Sequence, residues 1–476
     1  MNKQSLHIRK GLYVLALATG VSACSVPKQI TTPPPVALPE TTVTDTLDIK
    51  SFAQVFNDPY LKSLIDTALA ANFDLQAASQ RVIVAQSQLR MAKNAWLPTV
   101  NGVISAGADR YGDYTLNGVG NYDTNLSPNI DKDQKIPTRP TPEFFVGFRS
   151  SWEIDLWGKI RAQKDASLNR YFASTEGRRL LSTQVVAGVA TMYYDLVALD
   201  HELKIIHRNI GLQEAAVATV EVQKAGGRAT ELAVQQFKAQ LLSTKAMENN
   251  VKQQITATEN QLNALLGRLP QHIQRSADTT NIIPPAIAKG IPVTTLLRRP
   301  DIQQAEMNLA ATKADVKAAR AAFFPSLTVT PYAGFNSFKA GLLFQPASIA
   351  WGALGGLTTP IFNQKQLQSQ FNISKAEAMT AFYRYQQAIV DGYAEVSSVI
   401  SKVENEQATW QLKSQEVAVL RDAVSTSNLL FTTGYANYLE VITAQKSVLE
   451  AELTLVTTRR NVYQGMITLY RSLGGN

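Results

Sequence analysis

Cysteine and histidine are scarce in this chain of 476 residues, which has one cysteine, Cys24, and four histidines. A single cysteine excludes an intramolecular disulfide. His201 and His207 would lie about 240° apart around a helix axis, so they do not share a face that could hold a metal. No HExxH, paired CxxC, GxSxG or P-loop motif is present. The sequence therefore predicts no enzyme activity, no metal site and no cofactor.

Long apolar runs are also missing, because none after the first 23 residues reaches the roughly 18 residues that a membrane-spanning helix needs. The formal charge is +8, and removing Lys3, Arg9 and Lys10 with the N-terminal segment leaves +5 (8 − 3). This excess is scattered, without the Lys/Arg blocks and interleaved aromatic residues of nucleic-acid-binding proteins. We therefore expect no nucleic-acid partner.

The N-terminus has the pattern of a secretory signal peptide over residues 1–23, with a basic start, the short apolar core GLYVLALATGV and small residues. Cys24 follows in VSAC, which resembles the bacterial lipobox, in which the cysteine becomes the lipidated first residue of the mature chain. An incidental thiol is the alternative. Ser25 is non-acidic, which in the lipoprotein pattern suggests outer-membrane sorting. Residues 24–50 are rich in proline and threonine and are expected to form an extended tether.

An internal repeat organises the rest of the chain. DLQAASQRVIVAQSQLRMAKNAWLP (74–98) aligns without a gap on DIQQAEMNLAATKADVKAARAAFFP (301–325) at an offset of 227 (301 − 74). VGFRSSWEIDLWGK (146–159) aligns on WGALGGLTTPIFNQ (351–364) at an offset of 205 (351 − 146). The first copy therefore has 22 additional residues (227 − 205) between its two strands.

Each copy has the pattern helix, strand, loop, strand, very long helix, tight turn, helix. GGRATEL (226–232) and TGYANYL (433–439) are the turns, at an offset of 207 (433 − 226), and their glycines tolerate a positive φ. We predict a first repeat over 51–267, an equatorial linker over 268–298 and a second repeat over 299–476. The predicted strands are about 98–109, 143–156, 325–337 and 347–361, and the predicted long helices are about 158–225, 229–267, 364–432 and 436–474.

The predicted strands have one apolar face and one polar face. In 143–156 the apolar positions alternate with Arg149, Glu153 and Asp155, and about 11–13 residues is a length that crosses a bilayer at a tilt. A soluble sandwich is the alternative, but a packed core would reject these charges. Four aromatic residues at helix–strand junctions have the placement of an interfacial belt; they are Trp96, Trp157, Phe323 and Phe362. The pattern predicts transmembrane strands, with Trp152 toward lipid and the carboxylates toward a water-filled lumen.

Four strands would leave two open edges in one chain, and lipid does not tolerate unpaired backbone groups. The chain is therefore expected to complete its barrel with further copies. Two copies would give a barrel barely wide enough for side chains, whereas three would give twelve strands and a lumen. The residues alone leave both open, although a conduit favours three.

The helices 158–225 and 364–432 would each be roughly 100 Å long at 1.5 Å per residue. Two shorter helices in each copy sum to nearly that length, which suggests antiparallel rods of matched length. Apolar residues recur at the spacings of three and four that are typical of coiled coils; in the first rod they are Leu181, Val185, Val189, Met192, Leu196, Leu199, Leu203 and Ile206. The predicted fold is mainly α, with a membrane β part, a helical barrel and a small equatorial region.

These features together resemble the outer-membrane factors of tripartite efflux systems, the TolC-like family, and within it the lipoprotein (NodT/OprM-like) branch. The resemblance covers nearly the whole mature chain and rests on the lipobox and on a few further motifs. These motifs are WEIDLWGK (152–159), LLRRPDIQQAE (296–306), TGYANYLEVITAQ (433–445), and Pro98 and Pro325 behind NAWL and AAFF. The resemblance implies a homotrimer in which a twelve-stranded outer-membrane barrel continues as an α-helical tunnel into the periplasm. The implied partners are a periplasmic adaptor (a membrane fusion protein), an inner-membrane transporter of the RND type and outer-membrane lipid.

In this family the periplasmic tip is the gate, with acidic residues six and nine positions past the second tip glycine. Here these positions hold Glu440 and Thr443, so one ring of charge would be missing. Phe431 replaces a tyrosine before the turn and Ala436 replaces an arginine after it, which would remove a hydrogen bond and an ion pair. Glu440 on three chains is a candidate cation-attracting constriction, with a solvated surface acid as the alternative. The turns resemble the segments that contact the adaptor, and the candidate contact residues are Ala225, Gly226, Gly227, Arg228, Thr433, Gly434, Tyr435 and Ala436.

The predicted function is a passive exit duct of an efflux pump for drugs or other small molecules. The alternative is a structural periplasm-spanning lipoprotein or a conduit for type I protein secretion. Copper or silver export is a narrower hypothesis, and the seven methionines and few, unclustered histidines argue weakly against it.

Overall fold

The structure is a computed structural model that describes residues 27, 33–34, 57–276 and 296–475. The predicted signal peptide, Cys24 and most of the predicted tether lie outside the described residues. The part of the predicted linker from 277 to 295 also lies outside them.

The helices α1 and α2 precede the sheet, and the long helices follow each pair of strands. In chain order the helices are α1 (Pro59–Ala71), α2 (Phe73–Asn94), α3 (Leu116–Thr124), α4 (Lys159–Ala225), α5 (Glu231–Leu265), α6 (Pro300–Ala321), α7 (Gln364–Thr433) and α8 (Tyr438–Ser472). The strands are β1 (Thr99–Asp109), β2 (Thr141–Ile154), β3 (Ser326–Ser337) and β4 (Ile349–Thr358). The repeat pattern did not predict α1 and α3, because α1 lies ahead of the first repeated motif and α3 lies in the extra residues of the first copy.

The described residues form two compact units, and each unit takes parts of both repeats. The first contains Ala85–Tyr171 and Asn308–Phe382, which include all four strands. The second contains residues 57–84, 172–276, 296–307 and 383–475. A repeat is therefore a unit of sequence and not a compact domain, because neither copy encloses its own core.

The sheet of the first unit is antiparallel with the order β1-β2-β3-β4. Its register carries one row of paired residues across all four strands, from Ile104 to Val146, then to Phe335 and Ile349. Directly paired residues point to the same side of a sheet. The alternation that was predicted for single strands therefore adds up to one apolar and one polar face for the whole sheet.

The junction between β2 and α4 depends on Asp155 and Gly158. The carboxylate of Asp155 accepts hydrogen bonds from the backbone N–H of Ile160 at 3.1 Å and of Arg161 at 2.9 Å, which satisfies two donors at the start of α4. Gly158 has φ +78°, which allows the sharp turn. Burial alone would raise the pKa of Asp155, but the hydrogen bonds from Arg161 and Ile160 outweigh it and lower the pKa. The prediction that Asp155 faces a lumen is wrong, since β2 ends at Ile154 and this carboxylate caps a helix.

The core of the second unit contains the predicted coiled-coil stripe. Val189 and Leu196 of α4 are fully buried together with Val396 and Val403 of α7, and Tyr194 stacks on Tyr463 of α8 with ring centroids 4.5 Å apart. Leu61 of α1 packs in the same cluster, which explains why that short helix is held there. Within the described residues, none of the helices combines the length and the apolar composition needed to cross a bilayer.

Arg299, in the motif LLRRPDIQQAE, holds the start of α6 against α7 within the second unit. Its guanidinium makes two hydrogen bonds to Asp301, at 2.7 and 3.1 Å, and one to Glu395 at 2.8 Å. Burial opposes its charge, but the bonds to Asp301 and Glu395 outweigh burial and raise its pKa. The planar guanidinium of arginine can donate two hydrogen bonds to one carboxylate at the same time, and the ammonium group of a lysine could not reproduce this geometry. The motif therefore has a structural role at the start of α6.

Candidate functional site

The apolar face of the sheet is exposed in this chain. Ile104 is 85% exposed, Trp351 is 80% exposed and Leu357 is 66% exposed, and they lie on three different positions of the same face. Smaller apolar residues fill the spaces between them, including Ala106 and Ala353. A continuous apolar surface of this kind marks a contact with lipid or with another protein.

The opposite face of the sheet is mostly polar. Asn101 of β1 pairs with Arg149 of β2, and Glu153 of β2 pairs with Thr328 of β3. Glu153 also forms an ion pair with Lys159 at 2.5 Å, at the start of α4. The predicted separation of Trp152 from Glu153 and Arg149 onto two faces is present, and this face suits contact with water.

Two aromatic rings nevertheless lie on the polar face. Phe145 is 2% exposed, because the guanidinium of Arg149 covers its ring at 4.8 Å and Tyr332 contacts its edge at 6.3 Å. Glycine makes room for both rings: a Cβ at Gly334 would come within 3.1 Å of the Phe145 ring, and one at Gly352 would come within 2.7 Å of Tyr332. The residue patterns gave no sign of this cluster, because it depends on residues from three different strands.

The sheet has two open edges within the described residues. β1 pairs only with β2 and β4 only with β3, so the outer sides of β1 and β4 have no strand partner in this part of the chain. Edge strands of 11 and 10 residues present rows of unpaired N–H and C=O groups. The sheet alone is therefore an incomplete structure.

Aromatic residues surround the junctions between strands and helices. The indole N–H of Trp152 donates to the carbonyl of Trp96 at 2.8 Å, and the indole N–H of Trp157 donates to the carbonyl of Pro325 at 2.8 Å. Trp157 also stacks on Phe324 with ring centroids 4.7 Å apart. Trp96, Trp157 and Phe362 are exposed.

Phe323 was predicted to belong to the aromatic belt, and that prediction is wrong. Phe323 is 8% exposed and packs with Val316, Phe371 and Ala378 in a small core between α6 and α7. Its neighbour Phe324 occupies the position beside Trp157 instead. A pair of adjacent phenylalanines does not reveal from the sequence which ring turns inward.

The first turn joins α4 to α5, and a C-terminal capping motif at Gly227 ends α4. The N–H of Arg228 donates to the carbonyl of Gln223 at 2.8 Å, and the N–H of Gly227 donates to the carbonyl of Lys224 at 2.9 Å. Gly227 has φ +74°, so it, and not Gly226, supplies the left-handed residue. Thr230 then caps α5 by accepting from the N–H of Ala233 at 3.2 Å. The candidate contact residues Ala225, Gly226, Gly227 and Arg228 are all exposed.

The second turn repeats this geometry 207 residues later (434 − 227). Gly434 has φ +85°, and the N–H of Tyr435 bonds to the carbonyl of Leu430 at 2.8 Å. Asn437 caps α8 by accepting from the N–H of Leu439 at 2.9 Å and of Glu440 at 3.2 Å. Tyr435 is 85% exposed, Thr433 and Gly434 are also exposed, and Ala436 is half-buried. A capping residue stands three positions after each glycine, Thr230 and Asn437, and this recurrence in the sequence marks the starts of α5 and α8.

A single apolar cluster joins the two turns, which we call the tip cluster. Val220, Val234 and Phe237 of the first helix pair are buried in it together with Val441 of the second. Phe431, a predicted gate residue, is half-buried against this cluster. The structure therefore gives Phe431 a packing role in the tip cluster.

Glu440 and Thr443 are both exposed and lie three residues apart in the first turns of α8, so they occupy the same face of the helix. Glu440 lies where the helix dipole favours a negative charge. The corresponding residue in the first repeat is Ala233 (440 − 207), which is fully buried. Glu440 thus breaks the internal symmetry, at a position where the first repeat has a buried methyl group.

Ion pairs join the C-terminal part of α4, from His207 to Lys224, to the N-terminal half of α5. Lys224 pairs with Glu231, and the other pairs are Glu221–Lys238 at 2.7 Å, Glu214–Lys245 at 2.8 Å and His207–Glu248 at 3.1 Å. The pKa of Glu231 is lowered by its hydrogen bond with Lys224, and the pKa of Lys238 is raised by its hydrogen bond with Glu221. These pairs are exposed, so each contributes little, and together they fix the register of the two helices.

Residues 64–268 and 291–475 match the family model described as outer membrane efflux protein. The chain belongs to this outer membrane efflux protein family, which confirms the resemblance. It is 28% identical over 473 residues to the pyoverdine export outer membrane protein OpmQ of Pseudomonas putida, covering 98% of this chain and 97% of OpmQ. It is 28% identical over 425 residues to the probable outer membrane lipoprotein SilC of Salmonella typhimurium, covering 88% of this chain and 87% of SilC.

Among solved structures the chain is similar to CusC, whose crystal structures concern its folding and transmembrane channel formation. The TM-score is 0.80 at 26% sequence identity, and the alignment covers 95% of this chain and 99% of the CusC chain. The predicted fold class, with four strands, very long helices and a tandem repeat, is thereby confirmed, and the predicted efflux function in the outer membrane agrees with the family.

Proposed function

We propose that this chain is the outer-membrane exit duct of a tripartite efflux pump and that three copies build one channel. One observation carries the proposal: a four-stranded sheet with a continuous, exposed apolar face, a polar face and two unpaired edges. The apolar face would contact the hydrocarbon layer, and the polar face would line a water-filled lumen. The function follows from the family, the open edges call for further copies, and the need for a lumen favours three.

Closure by further copies explains why β1 and β4 lack partners. β1 of one copy would pair with β4 of the next, because these are the two edges that remain open in the part of the chain that the structure describes. Three copies of four strands give twelve, which leaves a lumen, whereas eight strands leave room only for side chains. A conduit therefore requires three copies or more.

The duct conducts passively and catalyses no reaction of its own. The energy for transport would come from an inner-membrane transporter of the RND type, and the periplasmic adaptor would connect the two. The turns at Gly227 and Gly434 are the proposed adaptor contacts, since both are exposed and both border the tip cluster. Lipidation of Cys24 would add a second anchor, and the name of SilC, a probable outer membrane lipoprotein, agrees with such an anchor.

Small molecules are the proposed cargo. OpmQ is named for the export of pyoverdine. Glu440 is the proposed cation-attracting residue of the gate, because its carboxylate is exposed at the tip and would be repeated on three chains. The alternatives are a conduit for type I protein secretion and a structural lipoprotein without conduction.

Single-channel recording in planar bilayers tests the proposal. The purified full chain should migrate as a trimer in detergent and should conduct ions, and Glu440→Ala should lower its preference for cations. Glu450→Ala, an exposed glutamate ten residues further along α8, is the matched control and should leave ion selectivity unchanged. A trimer that never conducts, even as Glu440→Ala, would exclude a channel. Drug susceptibility of a deletion strain then separates small-molecule efflux from protein secretion.

A further inference from the structure

A basic groove lies between α4 and α6 at the end of the sheet. Its volume is about 890 Å³, and the aromatic pair of Trp157 and Phe324 forms part of its wall. The charged residues of its lining are four cations and one carboxylate, which gives a net charge of +3 (4 − 1). They are Arg161, Lys313, Lys317, Arg320 and Asp165.

Most of this positive charge is not neutralised by the described part of the chain. Arg161 pairs with Asp155 at 3.2 Å, outside the groove lining. Among the described residues no carboxylate lies within ion-pair distance of Lys313, Lys317 or Arg320. The Nε atom of Arg320 is shielded from solvent and has no hydrogen-bond partner there. The groove therefore offers unused donors and positive charge to an anionic group.

The groove lies at a defined level relative to the sheet. Arg320 is six residues before the start of β3 at Ser326, and Arg161 is seven residues after the end of β2 at Ile154. Lys317 and Lys313 lie about 5 and 10 Å further along α6 at 1.5 Å per residue. The headgroup layer of a bilayer is roughly 5–8 Å thick on each side of the hydrocarbon core. If the strands span that core, the arginines lie at headgroup level and the lysines lie just outside it.

The groove is separate from the cavity on the polar face of the sheet. That smaller cavity takes Glu153, Ser326 and Thr358 from the polar face, whereas no strand residue lines the groove. Both cavities share Trp157 and Phe324, so the stacked aromatic pair stands between them. Tryptophan at such a junction is typical of the membrane–water interface.

We propose that this groove binds the phosphate headgroup of an anionic phospholipid, such as phosphatidylglycerol, in the periplasmic leaflet of the outer membrane. The arginine and lysine side chains would contact the phosphate, and Trp157 with Phe324 would lie against the upper part of the acyl chains. Basic pockets between helices at the membrane surface recognise such lipids. This inference rests on the proposed membrane-spanning role of the sheet.

Native mass spectrometry of the full-length trimer in detergent, titrated with dioleoylphosphatidylglycerol, tests the inference. The double variant Lys313→Gln/Lys317→Gln should weaken lipid binding by about fivefold for each charge removed. The matched control is Lys365→Gln/Lys375→Gln, which removes two exposed lysines from α7 in the same unit without touching the groove. The control should bind the lipid like the wild type, and dioleoylphosphatidylethanolamine should bind weakly to all three proteins.

Three results would overturn the inference: equal binding of the two lipids, equal losses in the two double variants, or displacement of the lipid by millimolar inorganic phosphate. Trimer mass in the same spectra shows whether each variant is assembled. Wild-type conductance in planar bilayers distinguishes failure of the proposed lipid site from failure of the proposed duct. A conducting trimer without this lipid preference refutes the groove alone, whereas a chain that neither assembles nor conducts refutes the proposed duct.

Discussion

Arg421 of α7 donates a hydrogen bond to the carboxylate of Glu452 of α8 at 2.8 Å, and the same two positions 207 residues earlier hold an ion pair with the charges exchanged. That earlier pair is Glu214 with Lys245, also at 2.8 Å (421 − 214 and 452 − 245 both equal 207). The antiparallel helices fix which positions face each other, and either order of the two charges satisfies the contact. Glu452 differs in one respect, since it also pairs with Arg208 of α4 at 2.5 Å.

The other ion pairs of the first helix pair have uncharged counterparts in the second. Lys224 and Glu231 correspond to Phe431 and Tyr438, both of which pack on the tip cluster. The first helix pair is therefore joined by charges along its surface, and the second is joined by apolar packing near its turn. Buried Glu452 is the charged contact that ties α8 to both α7 and α4.

Glu452→Gln should destabilise the second unit by about 1–3 kcal/mol, because two arginines lose their shared carboxylate. The cost stays below that of a fully buried broken pair, since Arg208 and Arg421 are each about half exposed and can be hydrated. Thermal denaturation in detergent measures the change. Glu450→Gln, two residues away and exposed, is the control and should stay within about 0.5 kcal/mol of the wild type. Equal effects of the two changes would show that Glu452 has no special role.

Gly227→Ala and Gly434→Ala should each weaken their turn by about 1–2 kcal/mol, because an L-residue is strained at φ +74° and +85°. Nothing lies within 4 Å of a Cβ at either position, so the cost is conformational and not steric. Gly226→Ala is a matched control, since its Cβ would make only ordinary contacts at 3.7 Å and its φ is not positive. Hydrogen exchange of the amides at the ends of α4 and α7 reports the loss. Faster exchange in the Gly226 variant as well would contradict this account.

Trp351→Lys and Leu354→Lys test the two faces of β4. Both side chains are exposed in the single chain, at 80% and 71%, but Trp351 belongs to the apolar face and Leu354 to the opposite one. A lysine facing lipid costs about 2–4 kcal/mol at the midplane and less near an interface, whereas a lumen-facing lysine is tolerated. The yield of folded trimer and its urea stability in detergent or lipid should fall for Trp351→Lys only. The reverse result would mean that the faces are assigned the wrong way round.

Glu202 of α4 should make stability depend on pH. Burial raises its pKa, although Arg460 and a hydrogen bond with Thr457 oppose that effect. The folded chain therefore binds the proton more tightly than the unfolded chain, so this residue's contribution to stability falls as the pH rises from its ordinary pKa near 4.5 through the raised value. Glu202→Gln should raise the melting temperature at pH 7, and the gain should shrink toward pH 4.

The exposed Glu404→Gln is the control for this pH experiment and should give no pH-dependent difference from the wild type. If Glu202→Gln lowered the melting temperature at pH 7, the hydrogen bond of the wild-type Glu202 with Thr457 and its attraction to Arg460 would outweigh the cost of burying its charge.

The sequence by itself determined the elements and their repetition. Period-two alternation in β2 and a period near 3.6 in α4 are local properties of the chain, and glycine at positions 227 and 434 marks where the helices turn. The alignment at offsets of 227, 205 and 207 related the two copies without any coordinates. The charged residues Arg149 and Glu153 on the face opposite Trp152 already indicated that no packed core covers that face.

Only the tertiary structure decided which side chains within these patterns turn inward. Phe323 is buried while Phe324 stacks on Trp157, Phe431 packs on the tip cluster, and Asp155 caps α4 instead of facing water. Each outcome depends on a neighbour that lies far away in the chain or beyond the end of a strand. Periodicity fixes the face of an element on which a residue lies. The partner that covers that face comes from another element, so burial, charge pairing and capping are decided only when the elements pack.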